Sequence, residues 1–174
     1  MKKDESEELS LWSELPGGNE IISWFGAVPD FHDAEIVGLK LDRGGPSRLD
    51  VYFFRLQQSP MFKPNVLEPT GDAIITFEFD HIVDLSLEGF SPQNVIFGLR
   101  LGRAKPNPER APYFGIDSSP DDYEIELDPC YGLSGKIRAR SVRLSLVSGR
   151  PEPLRPVGSL PPSKPEAGAG AGST

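Results

Sequence analysis

The chain has 174 residues, 37% of them hydrophobic and 25% charged, with 18 glycines, 18 prolines and a formal net charge of −8. That size suits one domain with a core large enough to stand without staples, and a single cysteine, Cys130, excludes an internal disulfide and a cysteine-built zinc site. The acidic balance disfavours nucleic acid, whose phosphates would repel it, and leaves a basic protein as the better-matched partner.

The chain begins MKKDESEELS, which has two lysines but no apolar stretch behind them. It does not read as a secretory signal, and no apolar run approaches the length of a membrane span. The expected location is the cytoplasm, with no membrane partner. Residues 1–18 read as an acidic N-terminal extension, 19–148 as a single β-rich domain, and 149–174 as a disordered Pro/Gly/Ala-rich tail.

Glu7 to Leu15 carries Leu11, Trp12 and Leu15 on one helical face, and Pro16-Gly17-Gly18 ends it. Asn19 is a candidate N-cap for a second short helix through Trp24-Phe25, which Gly26 stops and Pro29 keeps from resuming. From Ala34 the period changes to two. In 35–42, Val37, Leu39 and Leu41 share a face, and in 48–57 so do Leu49, Val51 and Phe53, with Tyr52 and Phe54 opposite. Residues 72–79 form a third strand with Ala73, Ile75, Phe77 and Phe79 in step. Residues 82–87 form a fourth with Val83, Leu85 and Leu87, and Asp80-His81 is a tight connection or bulge between them.

Asn94 to Leu99 is too short a run for periodicity to choose between strand and helix. Tyr113–Asp117 and Tyr123–Asp128 read as an antiparallel pair, and 136–147 as the last strand. With no long helix between strands, the expected fold is mainly β (α+β): an antiparallel sheet or sandwich with one or two short N-terminal helices packed on it.

Few residues offer chemistry. The two histidines give two mixed clusters, His32-Asp33 and Asp80-His81 with Asp84. A small metal-dependent or hydrolytic enzyme would need these to converge, and no HxH, HExxH or CxxC spacing supports it. Cys130 has no histidine near it in sequence and reads as a small buried or half-buried side chain. No phosphate loop is present, so the expectation is no catalytic residue, no metal and no cofactor. Glu124, Glu126 and Asp128 line the outer face of a strand, with Asp121 and Asp122 just before it. They are either a contact stripe for a basic partner or the cross-strand partners of Lys136, Arg138 and Arg140. A third reading is an adaptor domain whose proline-rich tail carries the interaction.

The run Trp24-Phe25-Gly26, Pro29, Phe31-His32-Asp33-Ala34-Glu35, followed by Phe77-Glu78-Phe79, Val83 to Gly89-Phe90 and Gln93-Asn94, resembles bacterial polymorphic-toxin immunity proteins of the Imm50 type. The resemblance covers about residues 21–146. It implies a non-enzymatic protein that binds a cognate toxin domain in the producing cell, a nuclease with a basic surface being one class that suits the charge. Within that frame Trp24 and Phe25 would pin the helix to the sheet, and Gly26 and Pro29 would shape the approach. Phe31 would lie under the first strand, and His32 and Asp33 would hydrogen-bond backbone groups where that strand starts.

Overall fold

The computed structural model describes residues 2–58, 67–105 and 119–152. Two helices, α1 (Lys2–Glu14) and α2 (Gly18–Phe25), precede six strands: β1 (Ala34–Lys40), β2 (Ser47–Gln58), β3 (Leu67–Glu88), β4 (Val95–Arg103), β5 (Tyr123–Tyr131) and β6 (Ser134–Ser148). Every pairing is antiparallel, and the sheet closes on itself in the order β1-β2-β3-β6-β5-β4. The mainly β class with short N-terminal helices is the expected one, and the sheet or sandwich takes the form of a closed barrel. Closure largely removes the exposed strand edges that an open sheet must protect.

Alternation fills the interior. Leu49, Val51 and Phe53 of β2 and Ala73, Ile75, Phe77 and Phe79 of β3 all point inward and are buried, as their period-two spacing requires. Residues 72–79 and 82–87 belong to one strand. Asp80-His81 continues the strand in regular register against β6, with His81 at φ 53, and the register shifts just after it, between Ile82 and Asp84. The segment 94–99 resolves as the start of strand β4.

Strand β1 departs from the expected phase. Ala34 and Ile36 face the core, Val37 sits in a bulge at 37% exposure, and Leu41 lies beyond the strand in solvent. One inserted residue moves every following side chain to the other face, so Leu39 returns inward opposite Leu49. The expected N-cap, Asn19, is also displaced: Gly17 holds that position in the left-handed region, with no side-chain cap. Gly26, also left-handed, ends α2 and donates its N–H to the Ile22 carbonyl at 2.7 Å. The expected strand 113–117 and the tail beyond Glu152 lie outside the described residues.

The helices are part of the core. Pairing between β5 and β6 ends at Ala139, so among the described strands none pairs with the second half of β6 on that side. The α1–α2 turn covers it: the Leu144 N–H donates to the Pro16 carbonyl at 2.8 Å. A Cβ on Gly17 would overlap the Leu144 carbonyl oxygen, so this approach requires glycine. Trp12 stacks on Phe31 at 5.9 Å and meets Phe77 edge-on at 6.0 Å; Phe25 and Phe31 both pack on Phe53, at 5.3 and 5.4 Å. Arg103 of β4 pairs with Glu14 at 2.6 Å and lies over the Tyr123 ring, fastening the end of α1. Residues 2–18 are therefore no separable extension, since Trp12 and Leu15 are buried in the core.

Candidate binding surface

The signature segment divides by burial. Phe25, Pro29 and Phe31 are buried, with Phe31 in the left-handed region at φ 55, as expected for a residue under the first strand. Trp24 does not pin the helix from within. It is 47% exposed, and its indole N–H reaches the Gly71 carbonyl at 3.4 Å. Nor do the His32 and Asp33 side chains cap the backbone at the start of β1. They face solvent against each other, Nδ1 to Oδ2 at 3.0 Å. Asp30 does the capping instead, its carboxylate accepting the His32 N–H at 3.1 Å. The signature thus serves mainly to set the barrel wall.

The second half of the signature has the same role. Asn94 is buried, and its Oδ1 accepts the N–H groups of Ser91 at 2.9 Å and Leu133 at 3.1 Å while Nδ2 donates to the Ser91 carbonyl at 2.7 Å. The Asn94 carbonyl accepts the Ile36 N–H at 2.8 Å, next to the only two residue pairs that join β1 to β4, Ala34–Ile96 and Glu35–Val95. Gly89, at φ 75, approaches the Gly132 carbonyl closely and so brings the loop carrying Gly89, Phe90 and Gln93 beside Tyr131.

The acidic stripe is occupied. Glu124 lies opposite Arg138 and Glu126 opposite Lys136 in the β5–β6 register. Arg138 Nε is 2.5 Å and Lys136 Nζ 3.1 Å from the Glu124 carboxylate, and Glu126 pairs with Lys136 and Arg100. Arg140 turns to the buried Asp122 at 3.0 Å, and Asp122 also accepts the Ser119 N–H. Asp121 offers its carbonyl to Arg103. Asp128, opposite Gly98 on β4, lies just past the point where β5 stops pairing with β6.

Burial raises the Glu124 pKa, but the hydrogen bonds and charges of Lys136 and Arg138 outweigh it and hold the carboxyl below its ordinary value. A depressed folded-state pKa contributes stability that is present above the unfolded value and lost as pH falls through the folded one. The wild-type urea midpoint is therefore expected to fall on acidification below about pH 4.3, the ordinary glutamate value. Glu124→Gln is expected to start lower and lose less over the same range. Parallel curves for the two proteins would show that this pair contributes nothing.

A different chemistry occupies the outer wall of β2, β1, β4 and β5. The ladders place Tyr52, Glu35, Val95 and Tyr131 in one row across these four strands, and the row continues through Ile74 to Val147 on the other side. Below it, the bulge between Ile96 and Gly98 throws Phe97 outward at 57% exposure, where it meets His32 edge-on at 4.9 Å. Tyr131 is 62% exposed and Phe90 69%. Tyr52 packs on Phe54 at 5.7 Å and donates its hydroxyl to Asp72 at 2.8 Å, and Asp72 in turn holds Arg150.

Burial, then the bond to Asp72, push the Tyr52 hydroxyl up to about 12. One tyrosine is accordingly expected to ionise late in an ultraviolet titration, and Asp72→Asn is expected to bring it back toward the ordinary value near 10. An unchanged late component in that variant would show that the bond does not set it. The raised pKa means that its contribution to stability is complete below about pH 10 and lost as pH rises toward about 12.

Phe97, Tyr131 and Val37 were missed in the sequence because bulges, which no short-range pattern announces, decide which way they point. Cys130 is exposed rather than buried, because β5 runs on through Pro129 to Tyr131. The histidines do not converge. His32 lines an open hollow of about 660 Å³ with Asp30, Asp33 and Arg55, and His81 another of about 640 Å³ with Asp42, Asp80 and Arg140. Asp84 pairs across to Arg138 in the ladder. Among the described residues no group of three or more His, Cys, Asp or Glu side chains is placed to hold a metal ion, and no helix is long and apolar enough to cross a membrane. No family model, curated protein or solved structure matches the chain.

Proposed function

We propose that the chain is an immunity protein, which binds and neutralises a cognate toxin domain in the cell that makes both. The observation that carries this reading is the set of large apolar side chains that the barrel leaves in water on one wall, Phe97 and Tyr131 above all. Large aromatic side chains left exposed on neighbouring strands of an otherwise well-closed fold favour a surface that another protein covers. The net charge of −8 supports it, because an acidic protein is steered toward a basic toxin. The resemblance to immunity proteins supports it too, and of the residues that carry it Gly26, Phe31, Gly89 and Asn94 lie at turns and core positions of this barrel.

The test is co-expression with the toxin domain encoded beside the gene. Growth is expected to be arrested by the toxin alone and restored with the chain present, and the two are expected to co-purify as a stable complex. Arrest that persists alongside folded, abundant chain would end the reading.

A further inference from the structure

Building on that reading, we infer that the toxin is gripped by the outer wall around Glu35, Val37, Val95, Phe97 and Tyr131, and that the toxin presents arginine or lysine side chains there, set among apolar ones.

Charge distribution gives the partner's chemistry. Several carboxylates elsewhere on the barrel are matched by a cation: Asp50 by Arg48, Asp72 by Arg150, Glu78 by Arg143, Glu124 and Glu126 by Lys136. On this wall Asp30, Asp33, Glu35 and Asp128 form no ion pair with a lysine or arginine among the described residues; the basic groups beside them are His32 and Arg55, which line one hollow with Asp30 and Asp33. Unmatched acids around exposed aromatics complement a basic, partly apolar surface and repel an acidic one. The stripe on β5 and β6 is a poorer candidate, because a toxin cation would first have to displace Arg138 or Lys136 from Glu124.

The wall is also rigid. Its outward residues alternate with Ala34, Ile36 and Ile96, which are buried in the barrel. Aromatic side chains held on paired strands lose little conformational freedom on binding, and such residues carry most of the energy in protein interfaces.

Two measurements test the inference. In the first, the toxin–chain complex is followed by surface plasmon resonance for Phe97→Ser, Asp128→Lys and Glu126→Gln. Phe97→Ser is expected to speed dissociation by roughly ten-fold or more. Asp128→Lys is expected to slow association by roughly ten-fold at low salt, the difference fading as salt rises. Glu126→Gln, on the paired stripe, is expected to change neither. Loss of binding with Glu126→Gln alone would move the site to the stripe and overturn the inference while the immunity reading stands.

The second measurement needs no toxin. A nine-residue peptide alternating arginine and leucine is titrated into the 15N-labelled chain, with a glutamate–leucine peptide as its counterpart. Amide shifts are expected at Glu35, Val95, Phe97 and Tyr131 with the first peptide only. Equal response to both peptides, or shifts centred on β6, would overturn the inference. So would concentration-dependent broadening of these amides without peptide, which would make the occupant a second copy of the chain. A toxin that the wild type does not bind, together with arginine-peptide shifts on the wall, would remove the immunity reading and leave the basic-partner surface standing.

Discussion

Replacing Trp12 by alanine is expected to lower the unfolding free energy by about 3 kcal/mol, near the bottom of the range for large aromatic truncations in cores. Trp12 is 1% exposed and lies between the Phe31 and Phe77 rings, so its loss opens a cavity where α1, β3 and the approach to β1 meet. The strands around it are hydrogen-bonded into a closed ring, so the cavity has little scope to collapse. One effect acts the other way. The indole N–H of Trp12 is buried without an acceptor, and removing it relieves a cost of roughly 1–3 kcal/mol. Trp12→Phe should therefore be much milder than Trp12→Ala, because it keeps an aromatic in the stack and discards the orphaned donor. Urea unfolding of the two variants checks both statements. A loss below about 1 kcal/mol for the alanine variant would mean that α1 is not part of the cooperative core.

Replacing Asn94 by alanine is expected to cost about 2–6 kcal/mol, since each of two N–H donors left without an acceptor costs roughly 1–3 kcal/mol. The donors are those of Ser91 and Leu133, and the second of these bonds is buried and joins residues 39 positions apart. Leucine would fill more of the volume yet restore no acceptor, so Asn94→Leu should be about as damaging. Asn94→Asp keeps the acceptor but loses the donation to Ser91 and buries a charge, so it should gain stability relative to wild type as pH falls and the carboxyl protonates. Native-state hydrogen exchange makes the assignment specific: the amides of Ser91, Leu133 and Ile36 should exchange faster in Asn94→Ala than elsewhere in the barrel. Unchanged protection at Leu133 would show that the side chain does not organise this corner.

How much was legible follows from where the chain is regular. The inward faces of β2 and of the first half of β3 follow from simple alternation, and the structure keeps them. Alternation also put Glu124 and Glu126 on an outer face opposite Lys136 and Arg138, as the ladder does. Bulges defeated the reading elsewhere. An extra residue at Val37 reverses the phase of β1, and another at Phe97 turns an aromatic that periodicity could not place into the most exposed ring of β4. At His81, read as a tight connection or a bulge, β3 runs straight through in register with a positive φ. The apolar face of Leu11, Trp12 and Leu15 was legible, but the acidic composition of residues 1–18 made the segment read as an extension rather than as part of the core. Asn94 and Gly89 were noticeable as a pattern, but nothing local revealed that Asn94 bonds a residue 39 positions away.

The junction between β1 and β4 has mechanical consequences. Only Ala34–Ile96 and Glu35–Val95, with the neighbouring Ile36 bond to Asn94, stitch the ring shut, whereas β3 and β6 run together for most of their length. Such a clasp is where the barrel should breathe first, with β1 and β4 parting before the long strands loosen. Glu35 and Val95 form both the clasp and the centre of the outer wall. A partner seated there would hold the two strands together from outside, so binding would show up as slowed exchange at the clasp and a higher melting temperature, even if no atom of the chain moved.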